Sequence, residues 1–186
     1  MTTTAMITGS VGAVAQREGR PLAESFLSVD AIILVDVSGS MASHDAPDGR
    51  SRYKAACDEL ATIQAANPGK VAVVGFSDRV EFSPGGVPTF QSGGTDMAAA
   101  LRFVKVADGL GIKLILLSDG MPNDEASTLT VARTFDAKID TVYIGPERGR
   151  GQAFLQRLAA ATGGRSLATD EPAMLAAPVQ LLLAAA

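Results

Sequence analysis

The chain is 186 residues long, with 47% hydrophobic and 19% charged residues and a formal net charge of −4. That length fits one domain with a substantial core, and that composition excludes a disordered chain. Its 16 Lys and Arg stand against 20 Asp and Glu, with no basic cluster long enough to track a phosphate backbone, so nucleic acid is not an expected partner.

The N-terminus, "MTTTAMITGSVGAVAQREG", has an apolar stretch but no positive charge ahead of it, a poor secretory signal. Residues 1–28 show no repeat and no clear period. They are expected to be an extension outside a main domain at 29–186, with "PLAESFLS" as a short helix. Residues 31–35, "AIILV", form a continuous apolar run of the kind expected for a strand covered on both faces. Tyr53, Ala56, Cys57, Leu60 and Ile63 then fall on one side of an amphipathic helix that places Arg52, Lys54, Asp58 and Glu59 on other faces and ends at Asn67-Pro68-Gly69. Cys57, the single cysteine, lies on that apolar face, where inert burial is expected. It cannot form an internal disulfide, which suits a reducing compartment and a cytoplasmic location.

"KVAVVGF" (70–76) repeats the strand signature, and "RVEFSPG" (79–85) follows it too closely for a helical crossover, so it should fold back as an antiparallel edge strand. A second helix is expected from Asp96 to about Asp108, stopped by Gly109. "KLILLSD" (113–119) is a third strand, followed by a helix from about Asp124 to Asp136. "DTVYIG" (140–145) is a fourth, followed by a helix from about Gln152 to Thr162 that closes on Gly163-Gly164. "GRSLA" (164–168) suits a last parallel strand. Pro172 suits the first turn of a terminal helix, and Pro178 should kink or divide it. No apolar run approaches the roughly 20 residues of a membrane helix, so a soluble protein with no membrane partner is expected.

Strands alternating with helices give an α/β, doubly wound, mostly parallel central sheet with one antiparallel edge strand and helices on both faces. In such sheets ligands bind beyond the carboxyl ends of the strands, where the strand order switches. "LVDVSGSM" (34–41) lies at that place, and burying its carboxylate and hydroxyls without partners would cost roughly 1 to 3 kcal/mol per neutral group and more for the charge. Three loops at this edge carry oxygen donors: Asp36, Ser38 and Ser40 after the first strand, Thr95 in "GGTDM", and Asp119 at the end of the third. A hard divalent cation, Mg²⁺ or Mn²⁺ with Ca²⁺ less suited, takes oxygen ligands of this kind. Neutral hydroxyls fill positions around such an ion without neutralising it, so it stays able to accept an acidic oxygen from outside.

D-x-S-x-S at Asp36, Ser38 and Ser40, Thr95 in a glycine-led loop that opens a helix, and Asp119 in "LLSDGMPND" together resemble the metal-ion-dependent adhesion site of von Willebrand factor A domains. The resemblance covers residues 30 to 184 and implies a VWA, Rossmann-like fold. It implies that the serines and the threonine touch the metal directly and the aspartates act largely through water. The sixth position would receive an Asp or Glu of a partner protein. Stand-alone bacterial domains of this kind often work with AAA+ ATPases or in chelatase-like assemblies, which the resemblance suggests as partners. Ordinary turn and cap roles compete at each loop taken alone, and Asp96 reads as a helix cap.

An enzyme is the rival reading. A Mg²⁺-dependent phosphatase of the haloacid dehalogenase type would use Asp36 as nucleophile, but wants a second acid where this chain has Ser38. A Ser-His-Asp hydrolase would have to use His44, the only histidine, and no G-x-S-x-G elbow is present. No catalytic residue is therefore assigned. His44, Asp45 and Asp48 read as solvated loop residues. Met41, Met97 and Met121 flank the three loops, either as core or as an apolar collar around a partner's acid. "GPERGRG" (145–151) lacks both phosphate-loop spacings and reads as an exposed basic turn.

Overall fold

A computed structural model of the chain describes residues 6–44, 49–145, 149–169 and 174–184. Six strands form one sheet: β1 (Ala31–Asp36), β2 (Val71–Phe76), β3 (Val80–Phe82), β4 (Lys113–Ser118), β5 (Ile139–Ile144) and β6 (Ser166–Thr169). Their order is β3-β2-β1-β4-β5-β6, with β3 antiparallel to β2 and every other pairing parallel. The chain winds outward from β1 in one direction and, after β3, returns to β1's other side through β4. The switch point therefore lies between β1 and β4, and ligands of open sheets of this kind bind beyond the carboxyl ends of such strands.

The central strands are apolar on both faces because both are covered. Ile32, Leu34, Leu114 and Leu116 pack with helices α4 (Met97–Val104) and α6 (Arg150–Thr162) through Met97, Leu101, Phe154, Leu155 and Leu158. The alternate residues Ile33, Val35, Ile115 and Leu117 pack with α3 (Arg52–Ala66) and α7 (Ala176–Ala184) through Leu60, Ile63, Val179 and Leu182. α5 (Glu125–Ala132) completes the first layer.

Two short helices precede the sheet, α1 (Val11–Glu18) and α2 (Leu22–Leu27). α1 starts at a Ser10 cap whose side chain accepts from Ala13 N and ends at Gly19 in the left-handed region, φ 65°. Val11 and Ala15 are buried, Gly12 N donates to Pro84 O at 2.8 Å, and Gly69 N donates to Gly9 O at 2.9 Å. The stretch read from sequence as lacking a period thus has a helix pinned to the loop after β3 and to the end of α3.

Two further expectations change. The helix expected to reach Asp136 stops at Ala132 because Asp108, from the loop before β4, accepts from both Asp136 N (3.2 Å) and Ala137 N (2.8 Å), turning that segment into a loop. Pro178 does not divide the last helix: α7 begins at Ala176, so the proline sits in the first turn, where its missing N–H leaves no bond unmade. Pro172 lies outside the described residues. Cys57 is buried, with its thiol pushed up to about 11 by burial, as an inert core cysteine would be.

Candidate metal centre

Alternation along two adjacent parallel strands sets up the centre. Ile32, Leu34 and Asp36 of β1 and Leu114, Leu116 and Ser118 of β4 point to one face, so the apolar pattern ends with a carboxylate beside a hydroxyl. Asp36 is wholly buried. Its Oδ2 accepts from Ser118 Oγ at 2.6 Å and its Oδ1 accepts from Ser38 N at 2.9 Å, the latter closing the turn that leaves the strand. Burial pushes its pKa up from 3.8 to about 6 against the lowering by these bonds, and the neighbouring Asp119 charge adds to the rise. The carboxylate therefore sits here at an electrostatic penalty that a nearby cation would relieve.

After β1 the chain makes a 3-10 turn, Gly39–Ala42. Ser38 Oγ and Ser40 Oγ come within 3.2 Å, and Ser40 Oγ donates to Asp119 Oδ1 at 2.7 Å. An ionised carboxylate only accepts, so the Ser40 proton is committed to Asp119 and Ser38 is the donor to Ser40. Both hydroxyl oxygens then keep lone pairs for a cation. Ser38 is 2% exposed and Asp119 8%, while Ser40 faces solvent. The outer oxygen of Asp119, Oδ2, accepts from Arg52 Nη1 at 2.7 Å.

Thr95 is brought to the same edge by its backbone. Its N–H donates to Asn123 Oδ1, and Asn123 N donates back to Thr95 O, both at 2.9 Å, so the loop before α4 is zipped to the loop after β4. Gly39 N donates to Gly93 O at 3.2 Å, joining it to the Ser38–Ser40 turn as well. Asp78 Oδ1 accepts from Gly94 N at 3.0 Å, and Ser77 Oγ donates to Ser92 O. Ser92 itself is left-handed, φ 58°, a strained conformation for a serine held by these contacts. Thr95 is only 7% exposed, and among the described residues its hydroxyl makes no hydrogen bond. Asp96 caps α4 by accepting from Ala99 N at 2.9 Å, the role expected of it.

Four of the expected residues, Asp36, Ser38, Ser40 and Asp119, are thus joined in one hydrogen-bonded chain, and the fifth, Thr95, is tied to the loops on both sides. Among the described residues no group of three or more His, Cys, Asp or Glu could hold a metal, so any ion here would depend on the hydroxyls. The donor set fits a hard divalent cation: all oxygen, with two carboxylates and three hydroxyls. Sequence reasoning missed Arg52, Ser118 and Asn123. Arg52 lies 67 residues from Asp119, and nothing local marks the pair. Ser118 could have been found from strand alternation with Asp36. Of the flanking methionines, Met41 and Met97 are wholly buried in the core, and Met121 is partly buried against it. His44 is exposed, and Asp45 and Asp48 lie outside the described residues, as do residues 146–148 of the basic turn.

No family model and no curated protein matches the sequence. Solved structures do resemble it. An aerotolerance-related membrane protein from Bacteroides fragilis NCTC 9343 superposes with a TM-score of 0.63 at 14% identity, over 84% of this chain and 98% of that one. A von Willebrand factor type A structure from Catenulispora acidiphila gives 0.65 at 20% identity, over 83% of this chain and 41% of that one. The manganese-loaded TRAP protein of Plasmodium vivax gives 0.59 at 18% identity, over 83% and 73%. The fold is that of a von Willebrand factor A domain, the doubly wound α/β architecture expected from the sequence.

Proposed function

We propose that this chain is a metal-dependent protein-binding module, in which Asp36, Ser38, Ser40, Thr95 and Asp119 hold a divalent cation that bridges to an Asp or Glu side chain of a partner protein. The observation that carries the reading is the hydrogen-bonded run from Ser38 through Ser40 to Asp119 beside a buried Asp36, at the carboxyl ends of β1 and β4, where open α/β sheets bind ligands. Mg²⁺ or Mn²⁺ would supply a Lewis-acidic position for the incoming carboxylate. In that arrangement Asp36 supplies negative charge at the floor of the site, and the serine and threonine oxygens fill positions without cancelling the ion. The manganese carried by the TRAP structure is in keeping with this. A cytoplasmic setting and an AAA+ ATPase or chelatase-like assembly as the partner belong to the same proposal.

The phosphatase alternative asks Asp36 to attack a substrate. Both its oxygens are already engaged by Ser38 N and Ser118 Oγ beneath the surface, and no second acid stands at position 38. Among the described residues no helix is long and apolar enough to cross a membrane. The test is affinity capture on the immobilised protein in Mg²⁺ against chelator, with Asp36→Ala and Thr95→Ala in parallel. A set of bound proteins that requires Mg²⁺ and is lost with both variants is expected. The same proteins retained in chelator, or robust phosphatase turnover abolished by Asp36→Asn, would contradict it.

A further inference from the structure

β3 closes one edge of the sheet and pairs only with β2. Ser77 N donates to Arg79 O at 3.0 Å and Ser83 N to Val73 O at 2.8 Å, so the odd-numbered residues of β3 direct their backbone groups to β2. Val80 and Phe82 therefore point their N–H and C=O groups the other way, along an edge that no described strand covers. Their side chains pack on the layer that contains α4, while Arg79 and Glu81, both exposed, project from the opposite face. Among the described residues neither of these two side chains has a hydrogen-bonding or ionic partner, and across β2 Glu81 faces Gly75, which has no side chain. We propose that this edge binds a second copy of the chain, β3 antiparallel to β3, in a two-fold dimer whose sheet runs through both copies.

Charge selects the register. With Val80 opposite Val80 of the second copy, those two residues exchange both N–H···O bonds. Arg79 then lies directly opposite the second copy's Glu81, and Glu81 opposite its Arg79, giving two ion pairs at the closer, non-hydrogen-bonded spacing. Sliding one copy by two residues sets Glu81 against Glu81, and sliding it the other way sets Arg79 against Arg79, so like charges oppose the neighbouring registers. Charges of one sign or a proline would guard such an edge, whereas opposite charges two residues apart complement themselves. The two-fold axis stands perpendicular to the sheet, so the faces that carry α4 come side by side. On that face each copy has an apolar groove of about 410 Å³ beside β3, lined by Leu22, Phe26, Leu27, Phe82, Phe103 and Val106. Phe103 is 41% exposed and Val106 60%, and this groove supplies the apolar area that a three-residue strand lacks.

The test is sedimentation equilibrium of the full chain at low ionic strength, from about 1 to about 200 µM. Run in chelator, it is independent of the metal-site reading. The wild type is expected to dimerise. Arg79→Glu and Glu81→Arg each put like charges opposite one another and are expected to weaken the dimer by about tenfold. The double variant Arg79→Glu/Glu81→Arg restores opposite charges and is expected to recover the wild-type affinity, which a second substitution in a misfolded protein would not do. An equimolar mixture of the two single variants is expected to form heterodimers. A wild type that stays monomeric throughout overturns the proposal, and that arm needs no variant to fold. A dimer that the single variants leave unchanged overturns it too, because the contact would then lie on another face, as does a double variant no tighter than the single ones.

Discussion

Asp36 is the buried acid at the centre of the candidate site. Its pKa is raised from 3.8 to about 6 in the folded protein, so the folded state holds a proton there that the unfolded chain has already released. The raised value favours the fold below pH 4, and that contribution is lost as pH rises through about 6, leaving the ionised acid to cost about 3 kcal/mol in metal-free protein at neutral pH. Asp36→Asn keeps an acceptor for Ser38 N and removes the charge. In chelator at pH 7 this variant should match or exceed the wild type in urea denaturation, and the difference should vanish near pH 4. A variant less stable than wild type at pH 7 by more than 1 kcal/mol would contradict the burial argument. With saturating Mg²⁺ the order should reverse, because only the wild type gains from the ion.

At the scale of elements, the loops matter more than the helices they open. Asn123 is exposed, yet it fixes the Thr95 loop through its side chain and its backbone. Asn123→Ala removes the side-chain bond only, so Mn²⁺ binding should weaken by about fivefold, equivalent to about 1 kcal/mol, with thermal stability changed little. Calorimetric titration of both proteins checks this, and equal affinities would show that the loop holds itself. α1 offers a second case. Val11 and Ala15 are buried, and Ile7 N donates to Gly85 O at 3.0 Å, so a chain beginning at residue 29 should unfold at a clearly lower temperature than the full chain in differential scanning calorimetry. Coincident transitions would mean that the first 28 residues are dispensable to the fold. The reason α1 escapes a sequence reading is visible in "VGAVAQRE", which at eight residues spans little more than two turns and gives a helical period almost no length in which to repeat. Only Ser10 and Gly19, a cap at each end, mark it.

For the molecule as a whole, the strands were legible because a doubly covered parallel sheet demands unbroken apolar runs, and 31–35, 70–76, 113–119 and 140–145 supply them. The antiparallel return of β3 was legible from loop length alone. The oxygen donors at the strand ends were legible because Asp, Ser and Thr are conspicuous where apolar runs stop. What was not legible is long-range: Arg52 reads as one more polar-face helix residue until the fold lays it against Asp119. The early stop of α5 likewise comes from Asp108, far away in sequence, capturing two backbone N–H groups.

Whether these donors serve a cation is tested most directly by anomalous diffraction from crystals grown in Mn²⁺. A single strong manganese peak is expected at the carboxyl ends of β1 and β4, within coordination distance of Ser38 Oγ, Ser40 Oγ and Thr95 Oγ1, with one position open to solvent or filled by a carboxylate. Ordered density for all five side chains with no anomalous peak among them, at Mn²⁺ concentrations in the millimolar range, would contradict it.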